Sequence, residues 1–373
     1  MPAERLARLR RLIAQAGYDA VVAMSPDNVT YVAGFTVPSQ RWSRRRLVMA
    51  VVLPEGPTRQ IVVNIEESLT RAVTWLDEVV SYNEFTQHPV DLLADSLREL
   101  VGVKARVGIE LDFIPQAAYA RLLSLLPELR IEDVSQFLLG ARAVKMPDEI
   151  EALRWIGRTA QSAIHQAVGV TRAGETELDL AHRISVGMLE RGADTVAELI
   201  VASGERSGHA NPFPTDRRLE SGEMVRLNGF GYKNNYPSDV TRTAVVGPPN
   251  QAQTDLWKRM LELRQDVFDM IRPGRTTQEI YQSYSKRVEE LGYRPIDFVG
   301  HGLGLQVHEP PYIGRHGNDE LRAGMVFAIE PIVTLPEGDW GFQIEDEIVV
   351  TDRGCELLTD AHSEDELMEV SLQ

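Results

Sequence analysis

Four segments in the C-terminal two thirds of the chain carry isolated polar residues in strand-like surroundings. The segments are MVRLNGFGYKNNYPSDVTRTAVVG, DFVGHGLGLQVHEPP, MVFAIEPIV and GFQIEDEIVV. Glu330 lies inside an apolar run, and Glu345 is followed by a second one. A carboxylate buried in such a run persists when it is paired or holds a metal ion. Several carboxylates with one imidazole suit two divalent cations such as Mn²⁺, Co²⁺ or Zn²⁺, whereas the structural alternative is an ion pair inside a sheet.

The elements around these segments repeat. Arg172-Ala173-Gly174-Glu175-Thr176 returns 100 residues later as Arg272-Pro273-Gly274-Arg275-Thr276. Each copy follows a long predicted helix, over about 148–170 and 251–271, and precedes another helix. Self-similarity of this kind predicts two related helix–helix–strand halves, with a site at their junction that draws equivalent residues from both.

The first part of the chain has a different pattern. Its predicted helices alternate with strands such as AVVAM, LVMAVVLP and RQIVVNI, which indicates an α/β domain whose helices cover a sheet. The stretch from Ala141 to Asp148 is typical of a boundary, because Pro147 and the acidic residues after it begin a long helix. We therefore predict an N-terminal α/β domain over residues 1–142 and a C-terminal α/β (α+β) domain over residues 143–373.

Composition excludes several classes of function. A net charge of −16 disfavours nonspecific nucleic-acid binding, which needs a basic surface. No stretch approaches the roughly 20 apolar residues that span a bilayer, and the first residues are typical of an amphipathic helix, not of a signal peptide. A single cysteine, Cys355, excludes an intramolecular disulfide framework. These features predict a cytoplasmic protein, with no nucleic-acid or membrane partner, that acts on a small or peptidic substrate.

The four segments resemble the pita-bread family, which includes methionine aminopeptidase, prolidase, aminopeptidase P and creatinase. The family pattern is an Asp in an apolar strand, a second Asp eleven residues later in S-D-x-T-R-T, a His in G-H-G-x-G, a Glu before Pro, and a Glu in x-I-E-D. In order, the chain places at these positions Asn228, Asp239 in SDVTRT, His301 in GHGLG, Glu330 and Glu345. The resemblance covers about 145–373 and implies a pita-bread domain with an internal pseudo-twofold duplication. It also implies that these five residues hold the metal.

The resemblance also implies a chemistry. It points to a metal-dependent Xaa-Pro dipeptidase or aminopeptidase that hydrolyses an amide C–N bond with a water activated by the ions. Glu330 would transfer the proton, and His209 or His308 would bind substrate and stabilise the oxyanion. The N-terminal domain resembles that of the creatinase and prolidase subgroup, and the family habit predicts a homodimer.

Two positions depart from the pattern. Asn228 replaces the first Asp, and an Asn carbonyl coordinates without bringing charge. We therefore expect weaker metal binding, with one ion or none in place of two. Gln343 lies where peptidases of the aminopeptidase P type carry Arg. Loss of one anionic and one cationic group together suggests that the site changed as a unit.

Two alternatives remain open. One is a creatinase-like or ectoine-hydrolase-like enzyme that cleaves a C–N bond in a small carboxylated metabolite with little or no metal. In that case Arg45, or a neighbour in the segment RWSRRR, would bind the substrate carboxylate across a dimer; otherwise the segment is a solvated basic turn. The other alternative is an inactive homologue that binds without catalysis.

Overall fold

The computed structural model describes residues 2–43, 45–334, 341–360 and 366–373. They form two compact units, Met1–Arg142 and Ala143–Gln373, and each contains its own apolar core. Within the described ranges, no helix combines the length and the apolar composition needed to cross a bilayer.

Within the described residues, the N-terminal unit is a six-stranded mixed sheet packed with α-helices. Along the sheet the strands lie in the order β4-β3-β2-β1-β5-β6. Every residue of β1, β2 and β3 is buried, which explains why these strands are continuous runs of mostly apolar residues. The strands are β1 (Ala20–Ala23), β2 (Met49–Val52), β3 (Arg59–Val63), β4 (Glu78–Tyr82), β5 (Arg106–Ile109) and β6 (Arg130–Asp133). The helices are α1 (Pro2–Ala16), α2 (Pro26–Ala33), α3 (Glu67–Val73), α4 (Pro89–Leu100), α5 (Gln116–Leu125) and α6 (Ser135–Ala143).

The C-terminal unit consists of two halves with the same order of elements, two helices followed by strands. The first half contains α7 (Pro147–Val170), α8 (Glu177–Glu190), β7 (Thr195–Ser203), β8 (Met224–Lys233), β9 (Tyr236–Pro237) and β10 (Thr241–Val246). The second contains α9 (Gln251–Met270), α10 (Thr277–Glu290), β11 (Phe298–Gly302), β12 (Glu309–Gly314), β13 (Val326–Ile329), β14 (Ile332–Thr334), β15 (Gly341–Gln343), β16 (Asp346–Val350) and β17 (Cys355–Leu357). The last strand, β18 (Met368–Val370), joins the sheet of the first half in the order β18-β10-β8-β7, while the second half forms β12-β11-β13-β16-β17.

The repeated motif forms the same turn in both halves. Gly174 and Gly274 both have a φ of +84°, in the left-handed region that glycine adopts at little steric cost. Two residues later, Thr176 and Thr276 cap helices α8 and α10 with their side chains. The α/β organisation and the duplication predicted from the sequence are thus confirmed.

Hydrogen bonds connect the two halves next to the polar segments. Thr243 Oγ1 donates to the Gln343 carbonyl at 2.8 Å, and the Glu345 N–H donates to the Thr241 carbonyl at 3.0 Å. Beside Glu345, the buried Asp346 accepts from Arg242 at 2.8 Å and pairs with Arg264. Burial alone would raise the pKa of Asp346, but the two guanidinium groups outweigh it and hold that pKa below its ordinary value.

We expect Asp346→Asn to lower the free energy of unfolding by about 3–5 kcal/mol, because it leaves two mostly buried guanidinium groups without that carboxylate. Urea unfolding measures the loss. The matched control is Asp297→Asn, which breaks the exposed pair with Arg315 and should cost less than about 1 kcal/mol. Equal small losses in the two variants would contradict this account of the junction.

Candidate active site

Three carboxylates and one imidazole converge where the two halves meet. From His301 Nε2, the nearest oxygens of Glu330, Asp239 and Glu345 are 3.2, 3.5 and 3.9 Å away. All four side chains are buried, and Glu330 is the most exposed of them at 9 %. The structure therefore brings together four of the residues at which the sequence predicted metal ligands.

Strand pairing accounts for this convergence. His301 lies on β11 opposite Ala328 of β13, and Glu330 follows directly after β13 with its N–H bonded to the Val299 carbonyl at 2.8 Å. Glu345 lies between β15 and β16. On the other side of the junction, Asp239 precedes β10, which pairs with β8 and so places Asp239 beside that strand.

The crowding of carboxylates has an electrostatic cost. Burial, together with the charges of Glu345 and Glu330, raises the pKa of Asp239 well above its ordinary value. Burial and the charge of Glu330 raise the pKa of Glu345 to about 7. Carboxylates shifted in this direction favour a nearby cation, since a positive charge stabilises their ionised form.

The imidazole of His301 faces the carboxylates with its Nε2. Its Nδ1 lies 3.2 Å from the Gly302 carbonyl, which can only accept, so in the neutral ring Nδ1 carries the hydrogen and Nε2 the lone pair. Burial lowers the pKa of His301, but the carboxylates of Glu330 and Glu345 outweigh burial and raise it. His301 Nε2 and Glu330 Oε1 lie 3.2 Å apart without the angles of a hydrogen bond, and neither atom has another hydrogen-bond partner in the part of the chain that the structure describes. Buried polar atoms are nearly always partnered, so these two atoms indicate a missing ligand.

The donor set fits a divalent cation. One ring nitrogen and carboxylate oxygens of Glu330 and Glu345 lie within 4.8 Å of one another, as do donor atoms of Asp239, His301 and His308. Nitrogen and oxygen donors in this number are those that Zn²⁺, Co²⁺ and Mn²⁺ accept. Asp239, His301, Glu330 and Glu345 are therefore the residues that would hold an ion.

Asn228, the fifth predicted ligand, lies on β8 beside the cluster. Its Nδ2 donates to Asp239 Oδ1 at 3.0 Å and to Glu345 Oε2 at 3.1 Å. The orientation of the amide is set by its neighbours, because only the NH₂ group can face two carboxylates. Its Oδ1 is buried and has no hydrogen-bond partner within the described ranges. Asn228 thus acts first as a hydrogen-bond donor to the other ligands.

The predicted histidines outside the cluster differ in position. The ring of His308 stacks on that of His301, with centroids 3.6 Å apart and an interplanar angle of 15°. His308 also lines an open cavity of about 440 Å³. His209 follows the 3-10 helix Gly204–Gly208 and is exposed, so its imidazole does not enter the buried cluster, although Asn211 two residues later lines the same cavity.

Arg45, the predicted ligand for a substrate carboxylate, belongs to the N-terminal unit. It is exposed at a turn before β2, next to Arg46, which pairs with Glu84 at 2.7 Å. The cluster described above consists of residues of the C-terminal unit alone. A role of Arg45 in substrate binding therefore stays a prediction.

A buried cation, Arg226, also lies at this site and was not predicted from the sequence. This residue is 1 % exposed, and its Nη1 donates to Gln343 Oε1 at 3.2 Å. Its Nη2 donates to the carbonyl groups of His209 and Ala210. The inference that this part of the site had lost its positive group is therefore wrong, because the guanidinium lies on β8 and contacts Gln343. The sequence did carry a signal for this position. Arg226 lies two residues before Asn228 in the strand MVRLNGFG, and residues two apart in a strand lie on the same face.

Sequence profiles of two families match the chain. The metallopeptidase family M24 profile matches residues 151–352, and the creatinase/prolidase N-terminal domain profile matches residues 5–144. The Xaa-Pro dipeptidase of Pyrococcus furiosus is 29% identical over 367 residues, which is 97% of this chain and 99% of that protein. The uncharacterized peptidase YqhT of Bacillus subtilis is 29% identical over 370 residues, 98% of this chain and 99% of that protein.

Solved structures agree with the sequence comparisons. The X-Pro aminopeptidase of Thermotoga maritima superposes with a TM-score of 0.86 at 25% identity, over 98% of this chain and 99% of that chain. The recombinant prolidase of Thermococcus sibiricus superposes with a TM-score of 0.87 at 26% identity, over 99% of each chain. Both units thus have the fold of these enzymes, and the profile match covers the whole buried cluster. The chain belongs to the metallopeptidase family M24.

Proposed function

We propose that this protein is a metal-dependent peptidase that hydrolyses the bond before proline in a small peptide, as a dipeptidase or an aminopeptidase. The convergence of Asp239, His301, Glu330 and Glu345 around unpartnered buried donor atoms carries the proposal. The names of the relatives, Xaa-Pro dipeptidase and X-Pro aminopeptidase, support the substrate class. The unpartnered donors disfavour the metal-free, creatinase-like alternative, because that reaction would leave them without a ligand.

A divalent cation, when bound, lowers the pKa of a water molecule and polarises the scissile carbonyl. Glu330 is suited to receive the proton of the attacking water, because its Oε1 is unpartnered and its Oε2 is held by Gln343 Nε2 at 3.0 Å. The water oxygen bonds to the carbonyl carbon, the C–N bond breaks, and Glu330 passes the proton to the leaving proline nitrogen. His308, at the mouth of the cluster, donates a hydrogen bond to the carbonyl oxygen as it gains charge.

The cavity beside His308 supports a peptide substrate with an apolar residue before the scissile bond. Its walls are largely aromatic and aliphatic, with Asn211 and Glu198 as polar groups. Apolar walls with a few polar groups are typical of pockets that bind small ligands. The apolar and aromatic lining residues are Ala197, Leu199, Ile200, Phe213, Phe230, Tyr232 and Val307.

The proposal includes the homodimer that the family resemblance implies. Trp42 and Phe85 on the N-terminal unit are exposed, which supports it, since aromatic side chains are enriched in protein interfaces. Sedimentation velocity would measure the mass, and a monomer at micromolar concentration would contradict it. The cytoplasmic location stays a prediction.

Removal of metal should abolish hydrolysis of a dipeptide such as Leu-Pro. Dialysis against a chelator is expected to lower kcat/KM by at least about 10³-fold, because both water activation and carbonyl polarisation are lost, and Mn²⁺, Co²⁺ or Zn²⁺ should restore it. Proline release is the readout, and Leu-Ala is the control substrate, expected to be cleaved more slowly. Full activity in the presence of chelator would contradict the proposed function.

The variant His308→Ala should lower kcat by about 10²–10³-fold, the usual effect of removing one oxyanion donor, and leave bound metal unchanged. Steady-state kinetics with elemental analysis separate these two properties. His316→Ala, at an exposed position outside the cluster, is the matched control and should keep the parent kcat. A kcat for the His308 variant within twofold of the parent would remove His308 from the reaction.

A further inference from the structure

The carboxylates of Asp239 and Glu345 each have one oxygen on the His301 side and the other on the Asn228 side. Asp239 Oδ2 and Glu345 Oε1 face His301, whereas Asp239 Oδ1 and Glu345 Oε2 accept from the Asn228 amide. Thr241 Oγ1 also donates to Glu345 Oε2, at 2.5 Å. On the His301 side, His301 Nε2 and Glu330 Oε1 accept or donate no hydrogen bond within the described structure, whereas on the Asn228 side both carboxylates already accept from the amide. The Asn228 carbonyl oxygen is also unpartnered, but it lies at the other end of the amide from these two acceptors. The His301 side therefore offers a cation more free donor atoms than the Asn228 side.

Arg226 adds a full positive charge on the same face of β8. A guanidinium group stays protonated in proteins, so Arg226 is a cation at neutral pH. In the described structure its hydrogen bonds go to Gln343 Oε1 and to two carbonyl groups, and no carboxylate pairs with it directly. Its countercharge must therefore come from the neighbouring cluster, since an unbalanced buried charge is costly.

The charges balance for one ion. Asp239, Glu330 and Glu345 carry three negative charges when ionised, and one divalent cation with Arg226 carries three positive charges. Beside them, the buried Glu347 accepts from the Asp239 N–H, and its charge is offset by Arg242 and Arg264, which share the one carboxylate of Asp346. A second divalent cation would leave an excess of two positive charges in a buried site, where such an excess is unfavourable. An Asp at position 228 would offset only one of them.

We propose that this centre binds a single divalent cation on the His301 side, while the Asn228 amide occupies the second side and Arg226 supplies the charge that a second ion would bring. The proposal deepens the proposed function and rests on it, because it assigns the number of ions at that site. Arg226 is also a positioning residue. Through Gln343 it orients Glu330 Oε2, and through two carbonyl groups it holds the segment that follows His209.

Calorimetric titration of the metal-free, full-length protein with Mn²⁺, checked by elemental analysis after desalting, tests the number of ions. We expect one ion per chain in the parent protein. Asn228→Asp should bind a second ion at least tenfold more weakly than the first, and Asn228→Asp with Arg226→Met should bind two ions of similar affinity. Asn234→Asp adds the same charge at an exposed turn and should still bind one ion. Two ions in the parent protein, or only one in Asn228→Asp, would overturn the proposal.

The affinity for the first ion tests whether Arg226 acts on the site through its positive charge. Arg226→Met should tighten Mn²⁺ binding about tenfold because it removes a neighbouring cation, and Arg226→Lys should keep the parent affinity. Weaker or unchanged binding in Arg226→Met would show that Arg226 acts only as a structural residue and would overturn its assigned charge role. If Arg226→Met does not fold, Asn228→Asp still decides the number of ions.

The failures of the two proposals are distinguishable. Two ions in a parent protein that cleaves Leu-Pro would overturn the single-ion centre and leave the peptidase assignment intact. One ion in a protein that does not cleave Xaa-Pro dipeptides would support the single-ion centre and contradict the substrate class.

Discussion

The burial of three carboxylates around one imidazole is the constraint on which the rest of the C-terminal unit depends. Each carboxylate alone would favour water, and together they repel one another, as the raised pKa values of Asp239 and Glu345 show. Such a cluster persists only if the fold holds it in place and supplies positive charge. The hydrogen bonds between β10 and the segment 343–346 meet the first requirement, and Arg242 and Arg264 strengthen it by binding Asp346 next to Glu345.

Positive charge reaches the cluster from several directions. A cation on the His301 side fits the unpartnered donor atoms, and β8 provides the Asn228 amide hydrogens and the Arg226 guanidinium on the opposite side. The effect of Asn in place of Asp at position 228 on the charge of the site therefore has to be considered together with the charge of Arg226. Gln343 links the two features, since it accepts from Arg226 and donates to Glu330. An inactive, binding-only homologue would not need Glu330 to be oriented in this way.

The duplication explains why one site can be built from residues so far apart in sequence. Each half begins with the same turn and helix cap, formed by Gly174 and Thr176 in the first half and by Gly274 and Thr276 in the second. The strands that follow these helices bring the polar residues of the two halves together. Each half on its own would leave its buried carboxylates exposed to water. Their junction provides both the partners and the exclusion of water that make the chemistry effective.

The family, the α/β organisation of both parts and the candidate ligands Asp239, His301, Glu330 and Glu345 could be predicted from the sequence, because motif and spacing are local properties of the chain. It also showed that Asn228 and Gln343 depart from the pattern. The structural role of these two residues could be read only from the folded protein. The direction of the Asn228 amide and the contact of Arg226 with Gln343 depend on which strands are paired and which faces they present, and residues 117 positions apart have no sequence signal for that contact.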